Sequence, residues 1–320
     1  MAPVQDDSPE LLARIARCSH RRPRGPVAVI DNAENYVAIQ PSMVLRLGER
    51  DYYITGDAKE GRFGIDEQPK LWVKYAVDLS DGARKIVKLA FHEQFSTRVG
   101  PFTVTCERDP DKESRVLERV AGDGRFMQGH TVYDRLGNNI RVIEQIRGSS
   151  LYNMVADIDT PHRIYFERTL PGLFDQLLDA LDALAALHRM GEQHGDVRSD
   201  HLLLDADSGV LRWIDFDYRA NYLDYDVWSV GSLLAYVVGR GAHGCRDAQA
   251  ELRRRGEPGL EPADAQLFFP HQLVNLRKLF GYIPPALNDV LMRFSCQTTD
   301  FYDSIEEILQ DLRTVRQSGW

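Results

Sequence analysis

Residues 194–205 read HGDVRSDHLLLD, residues 211–217 read LRWIDFD, and residues 226–231 read DVWSVG. In the first two stretches a short apolar strand adjoins a polar loop, so Asp196 and Asp215 emerge at strand–loop borders. Two carboxylates placed that way suit phosphoryl transfer, in which one orients an attacking hydroxyl and the other holds magnesium on a nucleotide. Asp226 opens a run, DVWSVGSLLAYVV, that is apolar nearly all round and predicts a helix buried in the centre of this half.

Working outward, Pro171 opens a helical pattern with Phe174, Leu177, Leu178, Leu181, Leu184 and Leu187 on one face, ending at Gly191. Near the C-terminus, Ser304 and Glu307 have capping-box spacing, and Ile305, Ile308, Leu309 and Leu312 follow on one face. Upstream, MVLRL, DYYIT, LWVKYAVDL, KIVKLAF, TVYDR and IRVIEQI predict a mostly antiparallel sheet between Met43 and Ile146. One helix interrupts it, with Asp109-Pro110 as cap and first turn and Val116, Leu117 and Val120 as its stripe. The expected fold class is α+β and bilobal. Residues 1–40 form an N-terminal extension, 41–146 a lobe with an antiparallel sheet and one helix, and 147–320 a mainly helical lobe. The extension holds a short helix from Pro9 to about Arg17 and a Pro/Arg/Gly linker at 21–26, and no internal repeat is visible.

A formal charge of −9 argues against a general nucleic-acid binder, which needs clustered cations. The local exception is Arg14, Arg17, Arg21, Arg22 and Arg24, which reads as a solvated face or a docking tail. Cys18, Cys106, Cys245 and Cys296 lack CxxC spacing and read as free thiols of a reducing compartment. With no apolar signal core and no long apolar run, the expectation is a cytoplasmic protein without a membrane partner.

Taken together, the ordered triplet HGD…DFD…DVWSVG resembles the protein-kinase-like superfamily, with HGD also similar to aminoglycoside-type phosphotransferases. The resemblance runs over about residues 50–315 and is strongest from 171 to 234. It implies ATP and Mg2+, with Mn2+ as the alternative ion, and an acceptor that is either a protein or a small molecule. Lys88 in Ile86-Val87-Lys88-Leu89 then corresponds to the lysine that contacts nucleotide phosphates, and Glu113 to its partner on the following helix. Asp196 corresponds to the residue that orients the acceptor hydroxyl, Arg198 to a γ-phosphate contact, and Asp215 to a metal ligand.

Glu60-Gly61-Arg62-Phe63-Gly64 resembles the second half of a glycine-rich phosphate loop, although Lys59 stands where the first glycine belongs, and a plain hairpin loop fits as well. The resemblance puts adenine recognition on the backbone of the stretch Ile143-Glu144-Gln145-Ile146, with Leu203 beneath the ring. His194 reads as a packing residue. His201 occupies the place of an asparagine that binds a second metal, and it reads as a metal ligand or a phosphate donor. Asp217 replaces the glycine of DFG, which removes easy access to unusual backbone angles.

Asp215 and Asp226 are only eleven positions apart, too close for the activation segment and Ala-Pro-Glu motif of protein kinases. The C-terminal TTDFYDSIEEIL likewise lacks the arginine that pairs with that glutamate. The expected activity is a phosphotransferase, with protein Ser/Thr slightly favoured as acceptor. The alternative is a pseudokinase serving as a nucleotide-binding or scaffolding module.

Overall fold

Val, Ile and Tyr alternate through the first half of the chain and build an eight-stranded mixed sheet, flanked by helices in an α+β arrangement. In this computed structural model the described residues are 3–62, 65–222 and 224–319, with the side chains of 60–62 and 65–67 left aside. The chain divides into two compact units. The first comprises Met1–His92, Asp109–Gly122 and Met127–Ile146; the second comprises Glu93–Arg108, Asp123–Phe126 and Arg147–Trp320.

In the first unit the strands are β1 (Val4–Asp6), β2 (Val27–Ile30), β3 (Val44–Leu47), β4 (Arg50–Arg62), β5 (Ile65–Asp78), β6 (Arg84–Lys88), β9 (Gly129–Tyr133) and β10 (Asn139–Glu144). Two further strands, β7 (Gln94–Val99) and β8 (Phe102–Arg108), belong to the second unit. Sheet order in the first unit is β1-β2-β3-β4-β5-β6-β10-β9. The strands of this sheet between residues 43 and 146 pair antiparallel as expected, and β2, from before that stretch, adds a parallel pair with β3 that makes the sheet mixed. A parallel pair needs a crossover. Residues 31–43 supply it and lay Ala33 and Ile39 against Leu45, Ile54, Val87 and Val142.

Residues 3–40, expected as an extension, are therefore built into this unit. Helix α1 (Pro9–Ser19) buries Leu11 and Ile15 among Val27, Val29, Val44, Tyr53 and Leu79. The short apolar run VAVI at 27–30 is the sequence signal, hidden by the Pro and Arg residues before it. Helix α2 (Pro110–Arg119) starts as its residues predict: the Asp109 carboxylate accepts the N–H groups of Asp111 at 2.9 Å and Lys112 at 3.1 Å.

The second unit carries α3 (Leu151–Ala156), α4 (His162–Ile164), α5 (Leu170–Arg189), α6 (Tyr225–Gly239), α7 (Cys245–Arg255), α8 (Pro285–Met292) and α9 (Ile305–Gln317). Its small sheets are β11 (Gly148–Ser150), β12 (Leu202–Asp205) and β13 (Leu211–Trp213) in one, and β14 (Tyr218–Ala220), β8 and β7 in the other. Helix α6 is buried along most of its length, as its composition requires. A Cβ on Gly231 would lie 2.2 Å from the Phe294 ring, so only glycine permits that approach. Helix α5 ends at Arg189, and Gly191 then turns the chain with a left-handed φ of 77°. The capping box at α9 is only half formed. Ser304 Oγ accepts the Glu307 N–H at 3.2 Å, but the Glu307 carboxylate turns to the N–H of Asp303 at 3.0 Å. All four cysteines are free, and among the described residues no helix is long and apolar enough to cross a membrane.

Candidate functional site

Each unit gathers one cluster of the residues singled out in the sequence. In the first, strand pairing sets Lys88 on β6 directly opposite Arg141 on β10. Like charges opposed across a sheet repel. The Glu113 carboxylate, delivered by the first turns of α2, separates them: Oε1 accepts from Lys88 Nζ at 2.7 Å and Oε2 from Arg141 Nε at 3.1 Å. All three side chains are buried, Glu113 completely. The Lys88–Glu113 pair is thus formed, and Arg141 is a third member that sequence reading missed. Its one signal is a charged residue inside the apolar strand IRVIE.

Glu144 ends β10 exposed, 4.0 Å from Lys85, and Ile146 beyond it is half-buried. Gly61 lies near the end of β4, while Phe63 and Gly64 fall outside the described residues.

In the second unit the polar loop between α5 and β12 is organised from beneath by Asp226. Fully buried in the first turn of α6, Asp226 accepts the N–H of His194 at 2.6 Å and that of Gly195 at 2.8 Å. Its Oδ2 also lies 2.9 Å from His188 Nε2. His194 packs inward, its ring 4.9 Å from that of Trp213, as expected of a packing residue. The loop then presents Asp196, and the β12–β13 hairpin brings His201 level with Asp215. In that hairpin Leu202 pairs with Trp213, and Ile214 N–H donates to His201 O at 3.0 Å. Leu203 lies on the same strand, partly buried.

His201 sits between the two aspartates. Its Nδ1 is 2.9 Å from the main-chain oxygen of Asp196 and 3.5 Å from Asp196 Oδ2; its Nε2 is 3.8 Å from Asp215 Oδ2. Asp215 adopts a left-handed φ of 60°, a backbone state that side chains other than glycine occupy at a cost. Asp196 keeps 19% of its side-chain surface accessible. Burial nevertheless raises its pKa above the ordinary aspartate value, with His201 and Arg198 opposing the rise.

Arg198 is bound to Asp200, donating from Nε to Oδ1 at 2.9 Å and from a terminal nitrogen to Oδ2. Its other terminal nitrogen is 3.8 Å from Asp196. Burial works to raise the Asp200 pKa, but the hydrogen bond from Arg198 and the nearby His201 leave it below the usual value.

The short segment after Asp215 is held as a strand. Asp217 is buried and paired with Arg108 of β8, which also reaches the Tyr218 hydroxyl at 2.6 Å. Strand β14 continues alongside β8, with Tyr218 opposite Arg108 and Ala220 opposite Cys106. The β7–β8 hairpin thus pairs with the backbone of residues 218–220. Sequence reading missed Arg108 and this hairpin, although FTVTCER alternates as a strand should.

Among the described residues no group of three or more His, Cys, Asp or Glu side chains could hold a metal alone. Asp215 Oδ2 and His201 Nε2 are two donors that fit an ion arriving with phosphate and water ligands, the usual way such ions bind at nucleotide sites. No model of a known protein family matches the chain, and no curated protein matches it either.

Proposed function

We propose that the chain is an ATP- and metal-dependent phosphotransferase whose two units correspond to the strand-rich and helical lobes of a kinase-like fold. The observation that carries this reading is the placing of Asp196, on the loop fixed by Asp226, and of Asp215, just after β13, on either side of His201. Asp196 accepts the proton of the acceptor hydroxyl as its oxygen attacks the γ-phosphorus and the bond to the ADP oxygen breaks. A carboxylate whose proton affinity burial has raised is the better base for that task. Asp215 and His201 would hold a divalent ion, Mg2+ or Mn2+, which when bound neutralises charge on the phosphates. Lys88, ion-paired with Glu113 in the strand-rich unit, is the residue that the resemblance assigns to the α and β phosphates.

The resemblance leans toward a protein Ser/Thr acceptor. The pairing of residues 218–220 with β8 supports an acceptor presented differently from a peptide on an activation-segment platform, or a small molecule. It also supports constitutive assembly, since Asp217 is locked by Arg108 and the segment is short. A second reading, a pseudokinase module, is favoured by one observation: Arg198 is bound through two nitrogens to Asp200 rather than held for a phosphate.

Nucleotide titration by calorimetry tests the assignment. Asp215→Ala abolishes metal-dependent ATP binding, whereas retained Mg2+·ATP affinity in that variant contradicts it.

A further inference from the structure

Resting on the phosphotransferase reading, we propose that His201 Nε2 is a direct metal ligand and that this site takes a first-row transition dication, such as Mn2+, in preference to Mg2+. The His201 side chain is buried, 7% exposed, on the short turn Ser199–His201 that leads into β12. A carbonyl oxygen only accepts, so the 2.9 Å contact with the Asp196 main chain puts the ring proton on Nδ1. In the neutral ring the lone pair is then on Nε2. Anchoring of one ring nitrogen on a backbone carbonyl is how proteins orient imidazoles whose other nitrogen binds a metal.

Nε2 stands 3.8 Å from Asp215 Oδ2, beyond hydrogen-bonding range. Two donors each about 2.1 Å from one ion are at most about 4.2 Å apart, and about 3 Å apart at neighbouring octahedral positions. The observed separation lies between these limits, so a sub-ångström closure brings both atoms onto one ion. Magnesium prefers oxygen and sheds water reluctantly, whereas transition dications accept imidazole nitrogen readily. An asparagine oxygen in this place would carry no such bias.

The test uses the full chain with [15N]histidine labelling, Mn2+ and β,γ-methylene-ATP, read by pulsed electron paramagnetic resonance. The expected spectrum shows a 15N coupling to manganese that disappears in His201→Asn. The Mn2+-over-Mg2+ affinity ratio in competitive titration should also fall, by about tenfold or more, the scale on which groups around a metal site alter affinity. Bound Mn2+·nucleotide with no 15N coupling, or a coupling that survives in the variant, overturns the inference and leaves the phosphotransferase reading standing. No Mn2+ uptake with the nucleotide overturns both. Should His201→Asn fail to fold, the labelled wild-type spectrum and His201→Gln still decide.

Discussion

Lys88, Glu113 and Arg141 make a closed charge cluster, whereas Asp196, His201 and Asp215 make an open one. In the first, each carboxylate oxygen has its own cation within 3.1 Å, and all three side chains are at most 5% exposed. In the second, the side-chain separations are 3.5 and 3.8 Å, and the aspartate side chains keep 19% and 20% of their surface. In the closed cluster each charge is answered by another side chain of the same unit. The open cluster sits on a loop held by backbone bonds to Asp226, and its members stand beyond hydrogen-bonding distance of one another's side chains. A fold keeps such an arrangement at some cost in stability, as functional sites commonly do.

The largest effect that would break this contrast is on the closed cluster. Glu113→Leu leaves two buried cations opposed across neighbouring strands and should cost about 3–5 kcal/mol in denaturant unfolding, the range for breaking a buried ion pair. A loss within error of zero would mean the triad is not mutually compensated. Next comes the support under the open cluster. Asp226→Asn keeps the shape but removes the charge that two N–H groups address, and hydrogen bonds to charged groups are worth about 1.5–3 kcal/mol each. Amide exchange at His194 and Gly195 should quicken with it, and unchanged exchange would place the loop's support elsewhere.

The smallest effect carries the opposite sign. The folded state raises the Asp196 pKa, so the native chain keeps a proton that the unfolded chain has already released. The contribution of Asp196 is therefore most favourable below the ordinary aspartate pKa and is lost as pH rises through the folded value. Asp196→Asn should remove that decline and melt no lower, or slightly higher, than wild type at neutral pH. A clear loss of stability at neutral pH in this variant would show that the carboxylate is structural.

Much of this contrast was legible in the sequence because its parts are local. The apolar α6 and the Asp109 cap lie within single elements, where periodicity and capping chemistry speak directly, and the spacing of Asp196, Asp215 and Asp226 is read straight along the chain. The members supplied from a distance were not legible. Arg141 reaches Glu113 only because β6 and β10 are neighbours, and Arg108 reaches Asp217 only because β14 joins β8. The parallel pairing of β2 with β3 was missed for the same reason, since a crossover is fixed by tertiary packing rather than by the four apolar residues of VAVI.

Turnover of ATP and phosphate transfer by wild type beside Asp196→Asn, in Mg2+ and in Mn2+, tests the central claim most directly. Wild-type turnover that falls by about 10²–10⁴-fold in the variant, the usual worth of a positioned proton acceptor, is the predicted result. Equal background rates in both proteins, with nucleotide still bound, would contradict the phosphotransferase and leave the pseudokinase module in its place.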